Sequence, residues 1–317
     1  MSPPLLALND VCVHYRLRSG GVLRAVDGVS FEIERGQALG LVGESGCGKS
    51  TLARAVVGLE RLTRGRLLLD GVELPRLERR SRNDLRRIAW VAQDPFTSLD
   101  PRWTVGAIIS EPMRIHGFLK PRERRLRTLA LLEVVGLDPR RYWRYPHEFS
   151  GGQRQRVAIA RALALEPELV ICDEPLSALD VSIQAQVVEL LRDLAQRFAL
   201  SYLFISHDLA VVRHLCSRVA VMYLGKLVEV GPSAAIFGHP RHPYTQVLLC
   251  STPLSDPTAA WRDRELRIHG EPPADVPLGC AFHPRCPRAD QVAAGRCARV
   301  LPEWKRAGEQ AYACHLE

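Results

Sequence analysis

The sequence predicts an α/β fold organised around a parallel sheet, and three runs of residues carry that prediction. Ala38-Leu39-Gly40-Leu41-Val42 is apolar throughout, leads into a glycine-rich turn, and is followed by a helix-forming stretch over 51–57. Leu169-Val170-Ile171-Cys172 is equally apolar and runs into Asp173-Glu174-Pro175, while Leu203-Phe204-Ile205 ends in Ser206-His207-Asp208. A short run without polar alternation reads as a central parallel strand covered on both faces, and in an open α/β sheet ligands collect beyond the carboxyl ends of such strands.

The other elements follow in chain order. Residues 5–36 read as an antiparallel β region, with Val11, Val13 and Tyr15 alternating along one face. Residues 66–72 read as a hairpin with Asp70-Gly71 as its turn. From about 95 to 160 the pattern is mostly helical, including 104–115 and 123–135, which marks a helical subdomain. A second hairpin over 221–231 closes a domain spanning 1–235. Residues 236–317 form a different, cysteine-rich extension that contains the stiff linker Glu271-Pro272-Pro273-Ala274-Asp275-Val276-Pro277.

The turn Gly43-Glu44-Ser45-Gly46-Cys47-Gly48-Lys49-Ser50, with Thr51 behind it, has the spacing of a phosphate loop. Its glycines let the backbone curl until several N–H groups face one anion, and the helix N-terminus adds partial positive charge. In that reading Lys49 reaches the β- and γ-phosphates and Ser50 offers its hydroxyl to Mg²⁺. Cys47 is a small spacer, not a nucleophile. Asp173 suits the Mg²⁺ shell, and Glu174 suits polarisation of a water for in-line attack on a γ-phosphate. His207, at the third strand end, is a candidate sensor of that phosphate and a hydrogen-bond donor to its transition state. Many unrelated enzymes share such a loop, so it points to a nucleotide without naming the machine.

Ser150-Gly151-Gly152-Gln153 narrows the choice. The serine and two glycines open a helical stretch, giving a second helix N-terminus with free backbone N–H groups and Ser150 as its N-cap. The order of phosphate loop, Gln93 after a strand, Ser150-Gly151-Gly152-Gln153, Asp173-Glu174, Ser177-Ala178-Leu179-Asp180 and His207 resembles the ATP-binding cassette of an ABC transporter. The resemblance implies a P-loop NTPase fold: a RecA-like core with an antiparallel β subdomain and a helical subdomain. It implies that Tyr15 stacks on the adenine of ATP. By the same resemblance Gln93 joins the Mg²⁺ and attacking-water network and marks the hinge into the helical subdomain, while Ser177 and Asp180 communicate between two nucleotide sites. Ser150, Gly151, Gly152 and Gln153 are implied to cover the γ-phosphate held by a partner cassette, so that ATP is sandwiched between two chains. Phe149 stands where many members carry Leu.

Cysteine usage sets the end of the chain apart. Of nine cysteines, Cys12, Cys47, Cys172, Cys216 and Cys250 are scattered and read as small structural residues. Cys280, Cys286, Cys297 and Cys314 fall within the last thirty-eight residues and point to a metal centre. Their intervals of five, ten and sixteen residues do not match the C-x₂₋₄-C knuckles of zinc sites. Thiolates from separate loops suit a [4Fe–4S] cluster better, with Zn²⁺ as the alternative and His283 and His315 as candidate substitute ligands. His242-Pro243-Tyr244-Thr245, Gly279-Cys280-Ala281-Phe282-His283-Pro284-Arg285-Cys286 and the later cysteines resemble the C-terminal extension of oligopeptide and dipeptide importer ATPases. Gln93-Asp94-Pro95-Phe96-Thr97-Ser98-Leu99-Asp100-Pro101 is similar to a loop of the F-type subunit of that pair. The likeness extends over essentially the whole chain and implies an iron–sulfur cluster, structural or regulatory.

Composition agrees with such a protein. At 317 residues and 46% hydrophobic the chain can form one large domain or two. No run approaches the ~20 apolar residues that span a bilayer, and no signal peptide opens the sequence. The net charge of +8 gathers partly in Arg76, Arg79, Arg80, Arg82, Arg86 and Arg87, expected as a solvated helix face more than as a membrane contact. The expectation is a peripheral ATPase on the cytoplasmic face of the inner (plasma) membrane. Its implied partners are a second ABC ATPase subunit, by resemblance a paralogue, two transmembrane permease subunits and an extracytoplasmic solute-binding protein. Di- or oligopeptide is the expected cargo, with nickel chelates and haem as alternatives. A soluble ABC ATPase acting on nucleic acid is the alternative of a different class. A single cassette without a long coiled-coil insertion speaks against it, and no nucleic-acid partner is expected.

Overall fold

The structure, a computed structural model, describes residues 3–18, 20–250, 270, 271, 273 and 276–316. The chain divides into two compact units, one made of 1–32, 37–73 and 206–317, the other of 33–36 and 74–205.

The first unit begins with β1 (Leu6–Arg16), β2 (Val22–Ile33), β3 (Ala38–Val42), α1 (Lys49–Val57), β4 (Arg64–Leu69) and β5 (Val72–Glu73). β2, β1, β4 and β5 form a sheet in that order, as the alternation over the first residues requires. β1 runs antiparallel to β4 with Leu6 opposite Leu69 and Leu8 opposite Leu67. Leu6, Leu8, Val11 and Val13 are at most 1% exposed, so one face of β1 is core. The Asp70-Gly71 turn is as expected: both residues sit in the left-handed region, at φ 52° and 75°, which suits the twist of a tight hairpin. α1 starts two residues before the stretch read as helical, because Lys49 and Ser50 already belong to its first turn.

The second unit contains α2 (Arg82–Arg87), β6 (Ile88–Val91), α3 (Pro95–Ser98), α4 (Val105–Ile115), α5 (Pro121–Val134), α6 (Gly151–Ala162), β7 (Leu169–Asp173), α7 (Val181–Phe198) and β8 (Ser201–Ile205). β6, β7 and β8 are parallel, with Val91 opposite Cys172 and Cys172 opposite Phe204. Every residue of β7 and β8 is buried, the physical reason neither shows polar alternation. α3 to α6 build the helical region. Thr104 caps α4 by accepting from the Ala107 amide at 3.3 Å, and Glu123 accepts from the Lys120 amide at 2.7 Å at the start of α5. Ile108, Ile109, Met113, Leu131 and Leu132 are buried there, each stabilising by roughly 1.5–3 kcal/mol relative to exposure.

The arginine run departs from a simple solvated face. Residues 77–79 form a 3-10 turn and 82–87 an α-helix, and two arginines of that helix are engaged: Arg86 donates to the His116 carbonyl at 2.8 Å, and Arg87 is ion-paired with Glu168. Glu168 lies just before β7, so this pair pins the helix to the sheet and the residues are drawn inward by a partner that periodicity alone does not reveal.

The first unit resumes with α8 (Leu209–Leu215), β9 (Arg218–Tyr223), β10 (Lys226–Pro232), α9 (Ser233–Gly238), α10 (Pro243–Cys250), α11 (Arg296–Arg299), β11 (Trp304–Ala307) and β12 (Gln310–Ala313). β9 lies parallel to β3, with Gly40 opposite Val219, and β9 and β10 form the expected hairpin. The sheet does not stop at that hairpin. β12 pairs antiparallel with β10, Glu229 opposite Tyr312, and β11 pairs with β12. Glu229 is the buried node of this join. Its carboxylate accepts from the Arg241 amide at 2.8 Å and the His242 amide at 2.9 Å, and it also accepts from the Gln310 side chain. Burial raises its pKa above the usual carboxylate value, opposed by those hydrogen bonds.

Cys12, Cys47, Cys172 and Cys216 are buried, as small structural residues should be. Pro272, Ala274 and Asp275 of the expected linker lie outside the described residues. Among the described residues, no helix is long and apolar enough to cross a membrane.

Candidate active site

The phosphate loop is a close-fitted turn between β3 and α1. A Cβ on Gly43 would lie 2.1 Å from the Met222 carbonyl oxygen, and one on Gly48 would lie 1.9 Å from that of Ala25, so neither position admits a larger residue. Gly48 also takes φ 106° as it leads into the helix. The turn of the β9–β10 hairpin supports the loop from below, with Gly225 donating its amide to the Cys47 carbonyl at 2.9 Å. Lys49 is only 4% exposed. Its ammonium donates to the carbonyls of Gly43 at 2.8 Å and Glu44 at 2.9 Å, curled over the turn where an anion would be cradled. Burial pushes the Cys47 thiol up, which agrees with a spacer and not a nucleophile.

Tyr15, at the end of β1, stands beside this helix start. It is half-buried, and burial, with the nearby Glu60, raises its pKa. His207 is exposed and lies two residues before α8, whose N-terminus Asp208 caps by accepting from the amides of Ala210 at 2.9 Å and Val211 at 3.2 Å.

In the second unit the strand-end acids take up defined places. Asp173 closes β7 and is 3% exposed. Glu174 follows with φ 47°, a left-handed conformation that costs a non-glycine residue about 1–3 kcal/mol and that its amide bond to the Ile205 carbonyl at 3.0 Å helps to hold. Gln93, after β6, donates its side-chain amide to Glu174 at 3.2 Å. Ser177 donates its hydroxyl to the Glu174 carbonyl at 3.1 Å, and Gln184 donates to the carbonyls of Leu176 at 3.0 Å and Leu179 at 3.0 Å, so the 174–180 turn is tied down at several points. Asp180 is exposed and stands at the N-terminus of α7.

Ser150 caps α6 in a reciprocal box: its hydroxyl accepts from the Gln153 amide at 3.4 Å, and the Gln153 side chain accepts from the Ser150 amide at 3.2 Å. Gly152 is buried against α7, where an added Cβ would come within 2.3 Å of Ile183 Cγ2. Gly151 faces Leu179 in the same way at 3.4 Å. The motif's second glycine is therefore required by packing, while Ser150 remains exposed at the helix tip.

Of the four tail cysteines, Cys280 and Cys314 are buried and Cys286 and Cys297 half-buried. Burial pushes the Cys280 thiol up to about 12, with Cys314, Cys297 and Cys286 adding to the shift. Burial likewise pushes Cys286 up to about 11, and Cys314 and Cys297 add to it. Cys280 donates its amide to the Cys297 carbonyl at 2.8 Å, and a Cβ on Gly279 would lie 2.3 Å from that same oxygen, which explains the glycine before Cys280. His283 Nδ1 is 2.9 Å from the Cys280 carbonyl and His315 Nε2 is 2.9 Å from that of Val300, so both candidate substitute ligands have a ring nitrogen engaged with backbone.

Sequence reasoning missed two groups. Arg285 pairs with Glu44 of the phosphate loop at 2.8 Å, across 241 residues of chain, and nothing in the local pattern signals it. Cys12, His14 and Asp27 also come together, within 4.8 Å of one another. Lys226 binds the Asp27 carboxylate at 2.8 Å. Burial opposes ionisation of Asp27, but Lys226 and His14 hold its pKa below the usual value, so a lysine already supplies the positive charge there.

Comparison with known proteins agrees with this geometry. Residues 26–177 match the model of the ABC transporter family, and residues 228–292 match that of the oligopeptide/dipeptide transporter C-terminal region. The chain is 49% identical to the oligopeptide transport ATP-binding protein AppF of Bacillus subtilis, over 98% of this chain and 97% of that protein. It is 47% identical to the di/tripeptide transport ATP-binding protein DppF of Pseudomonas aeruginosa, again over 98% and 97%. Among solved structures, the ATP-binding cassette MJ0796, a dimer in a post-hydrolysis state bound to ADP and Pi, superposes with a TM-score of 0.65 at 28% identity, over 72% of this chain and 98% of that one. CbiO1 from Clostridium perfringens, part of an ABC transporter complex, gives 0.65 at 27% identity, over 75% and 92%. A built phosphate loop, the paired Gln93 and Glu174, a capped serine–glycine helix and relatives aligned along nearly the full length lead to one conclusion: this chain is an ABC ATPase and belongs to the ATP-binding proteins of oligopeptide and dipeptide transporters.

Proposed function

We propose that this chain hydrolyses ATP to drive import of di- or oligopeptides through separate membrane permease subunits. The observation that carries the reading is the presence, in one chain, of both a complete phosphate loop and an exposed, capped Ser150 helix tip. ATP is then sandwiched between the loop of one cassette and the Ser150–Gln153 motif of another; the cassette MJ0796, to which this chain is similar, is a dimer bound to ADP and Pi. The peptide cargo rests on the functions the relatives are named for and on the match over 228–292.

In this reading the amides of the 43–51 turn and Lys49 hold the triphosphate, and Tyr15 stacks on adenine. Glu174 takes the proton of the attacking water, Gln93 orients that water, and His207 donates to the transferred phosphoryl group. Ser177 and Asp180 link the two sites of the dimer. Ser50, Asp173 and Gln93 offer a hydroxyl, a carboxylate and an amide oxygen, a hard donor set that fits Mg²⁺. Bound there, Mg²⁺ would neutralise phosphate charge. Residues 1–235 are the cassette and 236–317 its extension. The partners are a paralogous cassette, two permease subunits and a solute-binding protein, and the chain sits peripherally on the cytoplasmic membrane face.

The tail holds a [4Fe–4S] cluster in the same proposal. What supports it is the set of four buried or half-buried thiols: burial raises all four, neighbouring thiols add to the rise at Cys280, Cys286 and Cys314, and a bound cation would draw them to the thiolate. Anaerobic purification with metal analysis decides, and a colourless protein with stoichiometric zinc would reject the cluster. For the main reading, labelled-peptide uptake and ATPase are measured in the assembled complex. Lys49→Ala should abolish both, and unchanged turnover would overturn the assignment.

A further inference from the structure

Glu44, the second residue of the phosphate loop, is held at two points by residues from the C-terminal region. Its carboxylate receives Arg285 Nη1 at 2.8 Å, and its amide donates to the Tyr244 hydroxyl at 2.8 Å. Arg285 is itself fixed: its side chain is 8% exposed, it donates to the Tyr223 hydroxyl at 3.2 Å and to the Gly270 carbonyl at 3.2 Å, and it lies one residue before Cys286. Tyr223, Tyr244 and Phe282 pack together behind it, with centroids 4.7 to 5.2 Å apart.

The other end of the same peptide serves the nucleotide site, since the Gly43 carbonyl accepts from the Lys49 ammonium at 2.8 Å, and the Glu44 carbonyl accepts from it at 2.9 Å. One continuous path therefore runs from the cysteine-rich segment through Arg285 and Glu44 to the lysine that meets phosphate. Charge gives the path a sign. Glu44 places a carboxylate on a loop that must receive a triphosphate, and without a fixed cation beside it that carboxylate repels the ligand.

We propose that Arg285 and Tyr244 are positioning residues for the phosphate loop, latching Glu44 so that the C-terminal region sets the affinity for nucleotide. The inference rests on the reading of residues 43–51 as the ATP site. Neutralising Arg285 both releases the latch and uncovers the Glu44 charge, whereas Tyr244→Phe removes the amide partner alone.

The test is titration of the full-length chain with a fluorescent N-methylanthraniloyl ATP, together with KM and kcat for ATP in the assembled transporter. Arg285→Met should weaken binding on the order of tenfold and raise KM, with kcat at saturating ATP and tail metal content retained. Adding Glu44→Gln to Arg285→Met should recover part of the lost affinity, because the uncovered charge is gone while the latch stays open. A role of Arg285 confined to tail packing predicts no such rescue. Native affinity in Arg285→Met, or a double variant no better than Arg285→Met, overturns the proposal. Should Arg285→Met not fold, Tyr244→Phe carries the test: weaker binding with unchanged kcat supports the latch, and unchanged binding overturns it. Lys49→Ala run alongside separates the two readings, since binding that survives it sinks the ATP site itself.

Discussion

Gln93 donates its side-chain amide to Glu174, Nε2 to Oε2 at 3.2 Å, joining the turn after β6 to the residue after β7. The bond matters because the Glu174 backbone is already held at φ 47°, so the bearing of its carboxylate is set from two directions. If this group is the base, Glu174→Gln should lower phosphate release by about 10²–10⁴-fold while retaining ATP binding. Gel filtration with ATP should then show an accumulated closed dimer. Normal turnover by the variant removes Glu174 from that role.

Gly152 offers a packing test of the serine–glycine helix. A methyl group there meets Ile183 Cγ2 at 2.3 Å, on a branched side chain with little freedom to turn away. Gly152→Ala should destabilise the fold by about 1–3 kcal/mol, visible as a lower Tm. Ile183→Ala in the same chain should recover most of the loss. A melting temperature unchanged by Gly152→Ala would show that α6 and α7 are free to separate.

His242 predicts acid sensitivity. It is 1% exposed, Nδ1 accepts from the Tyr244 amide at 3.0 Å, and desolvation lowers its pKa to about 3 from the ordinary 6.5. The unfolded chain therefore binds a proton that the folded chain refuses, and stability falls as pH drops below about 6.5 towards 3, by ~1.4 kcal/mol per unit at most. Glu229, whose carboxylate accepts from the His242 amide, acts in the opposite sense, because its raised pKa lets the folded state take up a proton early. His242→Asn keeps an acceptor for Tyr244 without a titrating ring. Urea melts at pH 7 and pH 5 should show a smaller difference for the variant than for the native chain, and an equal difference would assign the acid sensitivity elsewhere.

Cys286 tests the tail. Its thiol is raised by burial and by Cys314 and Cys297. Cys286→Ser should lower bound metal and the Tm together, while Cys250→Ser, outside the cluster, should alter neither. Metal content unchanged in Cys286→Ser would exclude this thiol as a ligand.

Much of the cassette was legible because its signals are local. Strands β3, β7 and β8 lack alternation since they are buried on both faces, and Asp70-Gly71 announces its turn by backbone chemistry alone. The phosphate loop and the Ser150 cap are likewise contiguous motifs. What stayed hidden depends on partners far along the chain. Arg87 looks like one more surface arginine until Glu168 is seen beside it, and Glu229 looks misplaced in an apolar strand until it is found gathering the amides of Arg241 and His242. Arg285 sits among cysteines that suggest metal chemistry, and its contact with Glu44 belongs to tertiary packing alone.

The pairing of β12 with β10 has a consequence for how this protein can be cut. With β12 in place, β10 is flanked on both sides, by β9 and by the tail strand. A chain ended after residue 235 would leave a strand whose residues Leu227 to Gly231 are all buried in the intact fold with one row of its backbone donors and acceptors bare. Such an edge recruits a neighbour, so the shortened cassette should self-associate or precipitate where the whole chain does not, and the last strands act as a guard against wrong partners as well as a seat for the cysteines.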